Sequence, residues 1–349
     1  MKLFAAIDIG SYEVEMKIFQ ITSGKGIKEI DCVCHRMELG KDVYRDGRIG
    51  VEMTDELCRV LNDFVRIMKG YRVDDWRVCA TSAVREAGNQ LVFLDRVKRH
   101  TGLEVEVLSN ASQRFMDYKS IASRENEFNR IIQKGTAIVD VGGGSIQISL
   151  FDKDRLVASQ NMKIGNLRLR ERMMNEGVSL KHYETLLTEV VKNEFLSYKK
   201  LYLKDRVISN LIVVGDHIGD AVHKNVMTRA DFLNFYDDMI YRSDEDAAGR
   251  CEVPEDVISV LRPSLVVYRC FLEAADVENI WMPGLHLTDG MAYEYAQQNR
   301  LLKLGHDFDE DILAAARNAA KRYQCSKSHI KVCEDLAVGI FDKIKKSQG

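Results

Sequence analysis

Two short stretches of this sequence repeat one arrangement of reactive and permissive residues. Asp8-Ile9-Gly10-Ser11 follows the apolar run Leu3-Phe4-Ala5-Ala6-Ile7, and Val141-Gly142-Gly143-Gly144-Ser145 follows Ala137-Ile138-Val139-Asp140. In each, a carboxylate ends a buried-strand pattern, then glycine and a small hydroxyl follow. Glycine admits positive φ and close approach of a ligand to the backbone. Successive amides in such a turn can converge on one concavity and hold phosphate oxygens. Two such turns facing each other would grip a phosphoryl chain. Gly10, Ser11, Gly142, Gly143, Gly144 and Ser145 would form the cradle, with Asp8 and Asp140 orienting Mg²⁺ or a water beside it. Singly, each turn is also ordinary hairpin chemistry. A triple glycine after a buried strand is harder to explain structurally, because glycine weakens strands. The repetition favours the phosphate reading.

The elements that must position these turns also repeat. Residues 2–21 read strand, tight turn, strand, with Val14, Met16 and Ile18 alternating with Glu13, Glu15 and Lys17. Residues 54–70 have helical spacing, with Leu57, Leu61, Phe64 and Met68 on one face and Gly70 as the expected cap. A strand over 77–80, a helix over 89–100, a strand over 104–108 and a helix from Ser109 follow. The second unit opens with strands at 137–140 and 146–151, a turn at 152–155 and a third strand. A helix over 183–202 and a strand at 211–214 lead to Gly215-Asp216. Helices over 261–275 and 290–302 flank a strand at 279–282, and tail helices are expected at 312–323 and 326–346. The doubled strand, Asp-x-Gly, strand unit is the main organisational signal.

Composition sets the bounds. A chain of 349 residues suggests two to three domains. Fifty Lys+Arg against 53 Asp+Glu give a net charge of −3, which argues against a DNA, RNA or anionic-membrane binder. No apolar run approaches the ~20 residues that span a bilayer, and the N-terminal run is too short for a signal peptide; the expected compartment is the cytoplasm. None of the 8 Cys forms a Cys-x-x-Cys pair. Cys32 and Cys34 are too close for a zinc knuckle and would share a strand face. The cysteines are expected to be reduced and packed as small hydrophobes.

At these residues the chain resembles the exopolyphosphatase / guanosine pentaphosphate phosphohydrolase (Ppx/GppA) family of the actin-like ATPase superfamily. The resemblance runs over roughly residues 3–300. It takes in Ala6-Ile7-Asp8-Ile9-Gly10-Ser11, Leu39-Gly40, Asp46-Gly47-Arg48-Ile49 and Ala80-Thr81-Ser82-Ala83-Val84-Arg85-Glu86-Ala87. It continues through 101–109, Val139 to Ser145, Ile164-Gly165-Asn166-Leu167-Arg168-Leu169 and Leu287-Thr288-Asp289-Gly290-Met291. It implies an α/β fold of two RNase H-like lobes, as in actin, Hsp70 and sugar kinases, with an interlobe cleft and a short helical tail. The expected bounds are 1–128 and 129–296 for the lobes, with the helix near 291–304 returning to the first, and 305–349 for the tail as the start of an HD-like extension. It further implies Mg²⁺-assisted hydrolysis of a terminal phosphoanhydride of inorganic polyphosphate or guanosine pentaphosphate, and a homodimer. Arg85 and Arg168 are candidates to face the anion, each against a structural salt bridge. His217 is expected at the surface, and His306-Asp307 in a loop.

The departures fall on the chemistry. The family segment Gly-x-Glu-Glu-Ala reads Asn110-Ala111-Ser112-Gln113-Arg114 here, so the expected general base is Gln113. The family's Ser-Thr-Glu is Ser145-Ile146-Gln147, and its Asn-Ser-x-Arg is Tyr12-Glu13-Val14-Glu15. The later glycine turn survives only as Gly215-Asp216-His217-Ile218-Gly219-Asp220. An amide keeps hydrogen bonding but has no useful basicity, and losing carboxylates weakens Mg²⁺ binding. Glu13, Glu15 or Asp117 could supply a replacement carboxylate. Two readings stand: a phosphohydrolase with weakened activity, and an inactive polyphosphate- or nucleotide-binding sensor of the same fold. A phosphotransferase is the weakest alternative.

Overall fold

The computed structural model describes residues 1–175, 180–204, 206–215, 217–302, 306 and 308–348. Asp216 and Asp307 lie outside the described residues. Strands β1 (Lys2–Ile9), β2 (Glu13–Thr22), β3 (Gly26–Arg36), β4 (Asp75–Ala80) and β5 (Val105–Val107) form one sheet in the order β3-β2-β1-β4-β5. β1 to β3 run antiparallel, and β4 and β5 lie parallel to β1. Phe4, Ala5, Ala6 and Ile7 are buried on both faces of β1, which is why that strand reads as a continuous apolar run. The helix Val51–Tyr71 covers the sheet with Leu57, Leu61, Phe64 and Met68. It runs past the expected Gly70 stop and closes on Arg72 in the left-handed region at φ 55°.

The second sheet repeats the plan. β6 (Thr136–Val141), β7 (Ile146–Asp152), β8 (Arg155–Met162), β9 (Asn210–Val214), β10 (Val226–Thr228) and β11 (Asn279–Trp281) are ordered β10-β11-β9-β6-β7-β8. β8-β7-β6-β9-β11 matches β3-β2-β1-β4-β5, with β10 added at the edge. The helix Glu255–Ala274 begins six residues earlier than its expected start and contains Pro263. Its buried face, with Ile258, Leu261, Leu265, Tyr268 and Leu272, continues through the proline, so packing overrides the local breaker.

The helix Leu287–Gln298 packs on the first sheet, where Met291, Ala292 and Ala296 join Phe4, Ala6, Phe19 and Met116. Gly290 makes this possible: a Cβ there would stand 2.0 Å from the Met116 carbonyl oxygen. The helix Asn110–Ala122, which carries Gln113 and Asp117, is thereby held close. In the tail, the helix Phe308–Arg322 packs on β8. Asp311 is buried, accepts from the Leu156 amide at 3.0 Å, and lies 2.6 Å from His306. His306 is therefore a buried partner of Asp311. The helix Lys327–Gln348 leaves Leu336, Val338 and Phe341 exposed. Among the described residues no helix is long and apolar enough to cross a membrane.

Candidate active site

Both glycine turns open on one cleft between the two sheets. Asp8 sits near the end of β1, opposite Glu15 in β2, and the first turn closes with the Gly10 amide on the Glu13 carbonyl at 2.9 Å. The second closes with the Gly142 amide on the Ser145 carbonyl at 3.0 Å. The turns touch: a Cβ on Gly143 would lie 2.7 Å from the Ser11 Cβ. Ser11 Oγ is 2.8 Å from the Tyr44 hydroxyl and 2.9 Å from Ser82 Oγ. The start of the helix Asn166–Asn175 grips the second turn. The Asn166 and Arg168 amides donate to the Gly142 and Gly143 carbonyls, each at 3.0 Å. Gly165 is needed there, because a Cβ would come within 2.4 Å of both carbonyl oxygens. With those carbonyls engaged by the helix amides, the amides of the turn can serve as an anion nest.

The cleft wall is acidic. Asp8, Glu13, Glu15, Asp117 and Asp140 line a cavity of about 110 Å³ together with His217 and His286. Gln113 Nε2 and Gln147 Nε2 both donate to Asp140 Oδ2, at 3.4 and 3.2 Å. Gly215, at φ 81°, passes so close that a Cβ would be 2.4 Å from Asp140 Oδ1. Glu15 is committed: its oxygens take His286 Nδ1 at 2.9 Å and the Thr288 hydroxyl at 2.5 Å. Burial pushes the Glu15 carboxyl up, but bonding to His286, the charges of His286 and Lys17, and Thr288 outweigh it and hold the group at about 2. Burial likewise pushes His286 down, and Glu15 overcomes it, raising the imidazole to about 9. Asp8 is driven up to about 8 by burial first and then by the charges of Glu15 and Glu13. Asp117 is raised well above its usual range by burial and by Asp140 and Asp8.

The Asp8 Oδ1 and Asp117 Oδ2 atoms are buried without a hydrogen-bond partner. Orphaned carboxylate oxygens suit a hard divalent cation. Among the described residues no three His, Cys, Asp or Glu side chains surround one point. A cation here would thus be held by one or two carboxylates and completed by phosphate and water oxygens, the usual habit of Mg²⁺.

Most of the candidate residues meet in the cleft. Asp8, Gly10, Ser11, Glu13, Gln113, Asp140, Gly142, Gly143 and Ser145 line it or bond to its wall. Gly144 turns away and leaves room for Tyr44, whose hydroxyl would be 2.1 Å from a Cβ there. Arg85 is withdrawn from the wall and donates to the Leu108 carbonyl at 2.7 Å and to Gln113 Oε1 at 3.4 Å. Arg168 takes the salt-bridge alternative, meeting Glu86 at 2.9 Å and stacking on Tyr44 at 4.0 Å. His217, expected at the surface, lies in the cleft 3.8 Å from Glu13. Cys32 and Cys34 do share a strand face, but both are exposed. The Cys34 thiol donates to Glu13 Oε2 at 3.1 Å. Exposed Cys325 and Cys333 also depart from the expected burial, and all eight cysteines are free thiols. His286 was missed, although it directly precedes the matched segment at Leu287.

The model of the Ppx/GppA phosphatase family matches residues 17–299. A guanosine-5'-triphosphate,3'-diphosphate pyrophosphatase of Photobacterium profundum is 20% identical over 98% of this chain and 67% of its own length. Exopolyphosphatase 2 of Mycobacterium tuberculosis is 27% identical over 49% of this chain and 54% of its own. A bifunctional 3-dehydroquinate synthase/phosphatase of Fusobacterium nucleatum is 26% identical over 49% of this chain and 26% of its own. The chain thus spans between about a quarter and two thirds of the length of these curated relatives. Among solved structures, an exopolyphosphatase from Cytophaga hutchinsonii superposes with a TM-score of 0.75 at 17% identity, covering 85% of this chain and 98% of that one. The Ppx/GppA family member of Aquifex aeolicus gives 0.68 at 22% identity, with the same coverage.

Proposed function

On the premise that this chain belongs to the Ppx/GppA phosphatase family, we propose that it binds the phosphate chain of polyphosphate or a guanosine polyphosphate in the cleft and slowly hydrolyses the terminal phosphoanhydride. The observation that carries this reading is the contact of the Ser11 and Gly143 turns with Asp8 and Asp140 at the two strand ends. The turn amides and the Ser11 and Ser145 hydroxyls hold phosphate oxygens. Mg²⁺ held by Asp8 and Asp140 would neutralise the phosphates against an acidic wall and polarise the scissile phosphoryl group. Gln113 and Gln147 orient Asp140 through their amides and can position a water, but neither takes its proton. The rate is therefore low by the factor a missing general base costs, on the order of 10²–10⁴.

The test is phosphate release from polyphosphate and guanosine pentaphosphate with Mg²⁺. Wild type is expected to turn over measurably, and Gln113→Glu with Gln147→Glu to turn over faster by about 10²-fold or more. No release by wild type on either substrate overturns the reading. A second reading, a sensor that binds and does not hydrolyse, is favoured by the two amide donors on Asp140 Oδ2. It predicts tight polyphosphate binding by calorimetry with no release.

A further inference from the structure

We propose that Tyr44 is a specificity-determining residue of this cleft, a stop that lets the lobes close only on the end of a phosphate chain. The inference rests on the reading above that the cleft binds such a chain. Tyr44 stands on the helix Leu39–Asp46, which packs with the first sheet. Its hydroxyl lies 2.8 Å from Ser11 Oγ and 3.4 Å from Ser82 Oγ, and those two serine oxygens are 2.9 Å apart. Both serines line the cavity and Tyr44 does not, so the phenol meets them from outside the wall. Glycines from both lobes build its seat. A Cβ at Gly40 would be 2.6 Å from Tyr44 Cε2, and one at Gly144 would be 2.1 Å from the hydroxyl.

That seat lies on the line of the second turn. Gly142 and Gly143 line the cavity, and the next residue, Gly144, is covered by the phenol. A phosphate chain held by the turn amides and running past Gly143 therefore meets Tyr44. The Arg168 guanidinium lies against the ring at 4.0 Å. With the ring gone, a chain continuing past Gly143 would reach that cation, which suits phosphate oxygens. Tyr44 comes from the first lobe and Gly144 from the second, so the phenol re-enters its seat each time the lobes close. A chain end stops short of the ring and leaves the seat free. A chain lying across both turns holds the ring out and the cleft open. Selection of ends thus comes from a steric rejection of the chain's interior, not from an added attraction.

The experiment is titration calorimetry with long polyphosphate of defined length, either free or esterified at both ends. Wild type is expected to saturate at two proteins per free chain, one for each end. It is expected to bind the end-esterified chain about tenfold more weakly or worse. Tyr44→Ala is expected to saturate above two per chain and to bind both polymers with the same affinity. Tyr44→Phe keeps the ring and loses a hydrogen bond, so it should hold the ratio of two with affinity lower by about two- to tenfold. Gly144→Ala displaces the phenol without deleting it, because its Cβ meets only side-chain ends, those of Tyr44 and Ser82. It is expected to match Tyr44→Ala and carries the test if that variant does not fold. Wild type saturating above two per chain, or Tyr44→Phe behaving as Tyr44→Ala, overturns this inference and leaves phosphate binding standing. So does a ratio of two in both Tyr44→Ala and Gly144→Ala. No binding of either polymer by wild type overturns the phosphate-chain reading, and this inference with it.

Discussion

At the scale of residues, the cleft combines one satisfied ion pair with two unsatisfied carboxyls. Glu15 and His286 hold each other in their charged forms across the floor of the cleft. A carboxyl held at about 2 adds stability that is present above its ordinary 4.5 and lost as pH falls through 2. An imidazole held at about 9 adds stability that is full below 6.5 and lost as pH rises through 9. The pair therefore contributes most between about pH 4.5 and 6.5. His286→Gln should lower the unfolding free energy near pH 6 by about 2–3 kcal/mol, less than a fully buried pair because the imidazole is partly solvated. Denaturant melts of the two proteins should converge toward pH 10, and an equal gap at both pH values would refute the ion pair. Asp8, Asp140 and the glycine turns were legible in the sequence because their residue types carry their chemistry locally. His286 was not, because its charge depends on Glu15, which is far away along the chain. Arg85 and Arg168 carried the right charge for an anion. Their orientation is decided by the Leu108 carbonyl and Glu86, and neither partner is visible in a local pattern.

At the scale of elements, the placement of the helix Asn110–Ala122 decides whether Gln113 and Asp117 reach the cleft. That helix is pressed against Leu287–Gln298, and Gly290 sets the spacing. Gly290→Ala would place a Cβ about 2.0 Å from the Met116 carbonyl oxygen, a clash with backbone that cannot be relieved by turning a side chain. Overpacking of this kind costs about 1–3 kcal/mol, which outweighs the ~1 kcal/mol gained from alanine's helix propensity. The variant should melt at a lower temperature and lose phosphate release along with it. An unchanged melting temperature would show that the two helices can separate freely. The elements themselves were largely readable, because apolar runs and alternation recur in both halves. Two failures have physical causes. The helix Glu255–Ala274 carries Pro263, which reads as part of a helix's first turn until the buried face is counted on both sides. The helix Val51–Tyr71 ends on Arg72 because a local cap, with the Arg72 amide on the Lys69 carbonyl and the Val73 amide on the Met68 carbonyl, closes it at a non-glycine residue.

At the scale of the molecule, the cleft is nearly shut. A cavity of about 110 Å³ falls below the ~300–1,000 Å³ of an ordinary ligand pocket, so a chain of several phosphoryl groups enters only if the lobes part. Among the ion pairs that join the lobes are three between an arginine and a carboxylate. Arg168 meets Glu86 at 2.9 Å, Arg170 meets Glu38 at 2.7 Å, and Arg36 meets Asp256 at 3.0 Å. Arg168 also donates to the Gly144 carbonyl at 2.9 Å, which ties the second glycine turn to the closed arrangement. Partly exposed pairs weaken with salt, so the open population should grow with ionic strength. Arg168→Ala should raise the radius of gyration at low salt to the value wild type reaches near 1 M salt. It should also quicken polyphosphate association, and it should shorten the lifetime of the complex, because closure that admits the ligand slowly also retains it. Small-angle scattering over a salt series and stopped-flow binding read these quantities directly. A radius of gyration unaffected by both salt and the substitution would mean that the ion pairs decorate a closure held by other contacts, with the touching of Ser11 and Gly143 as the first of those to test.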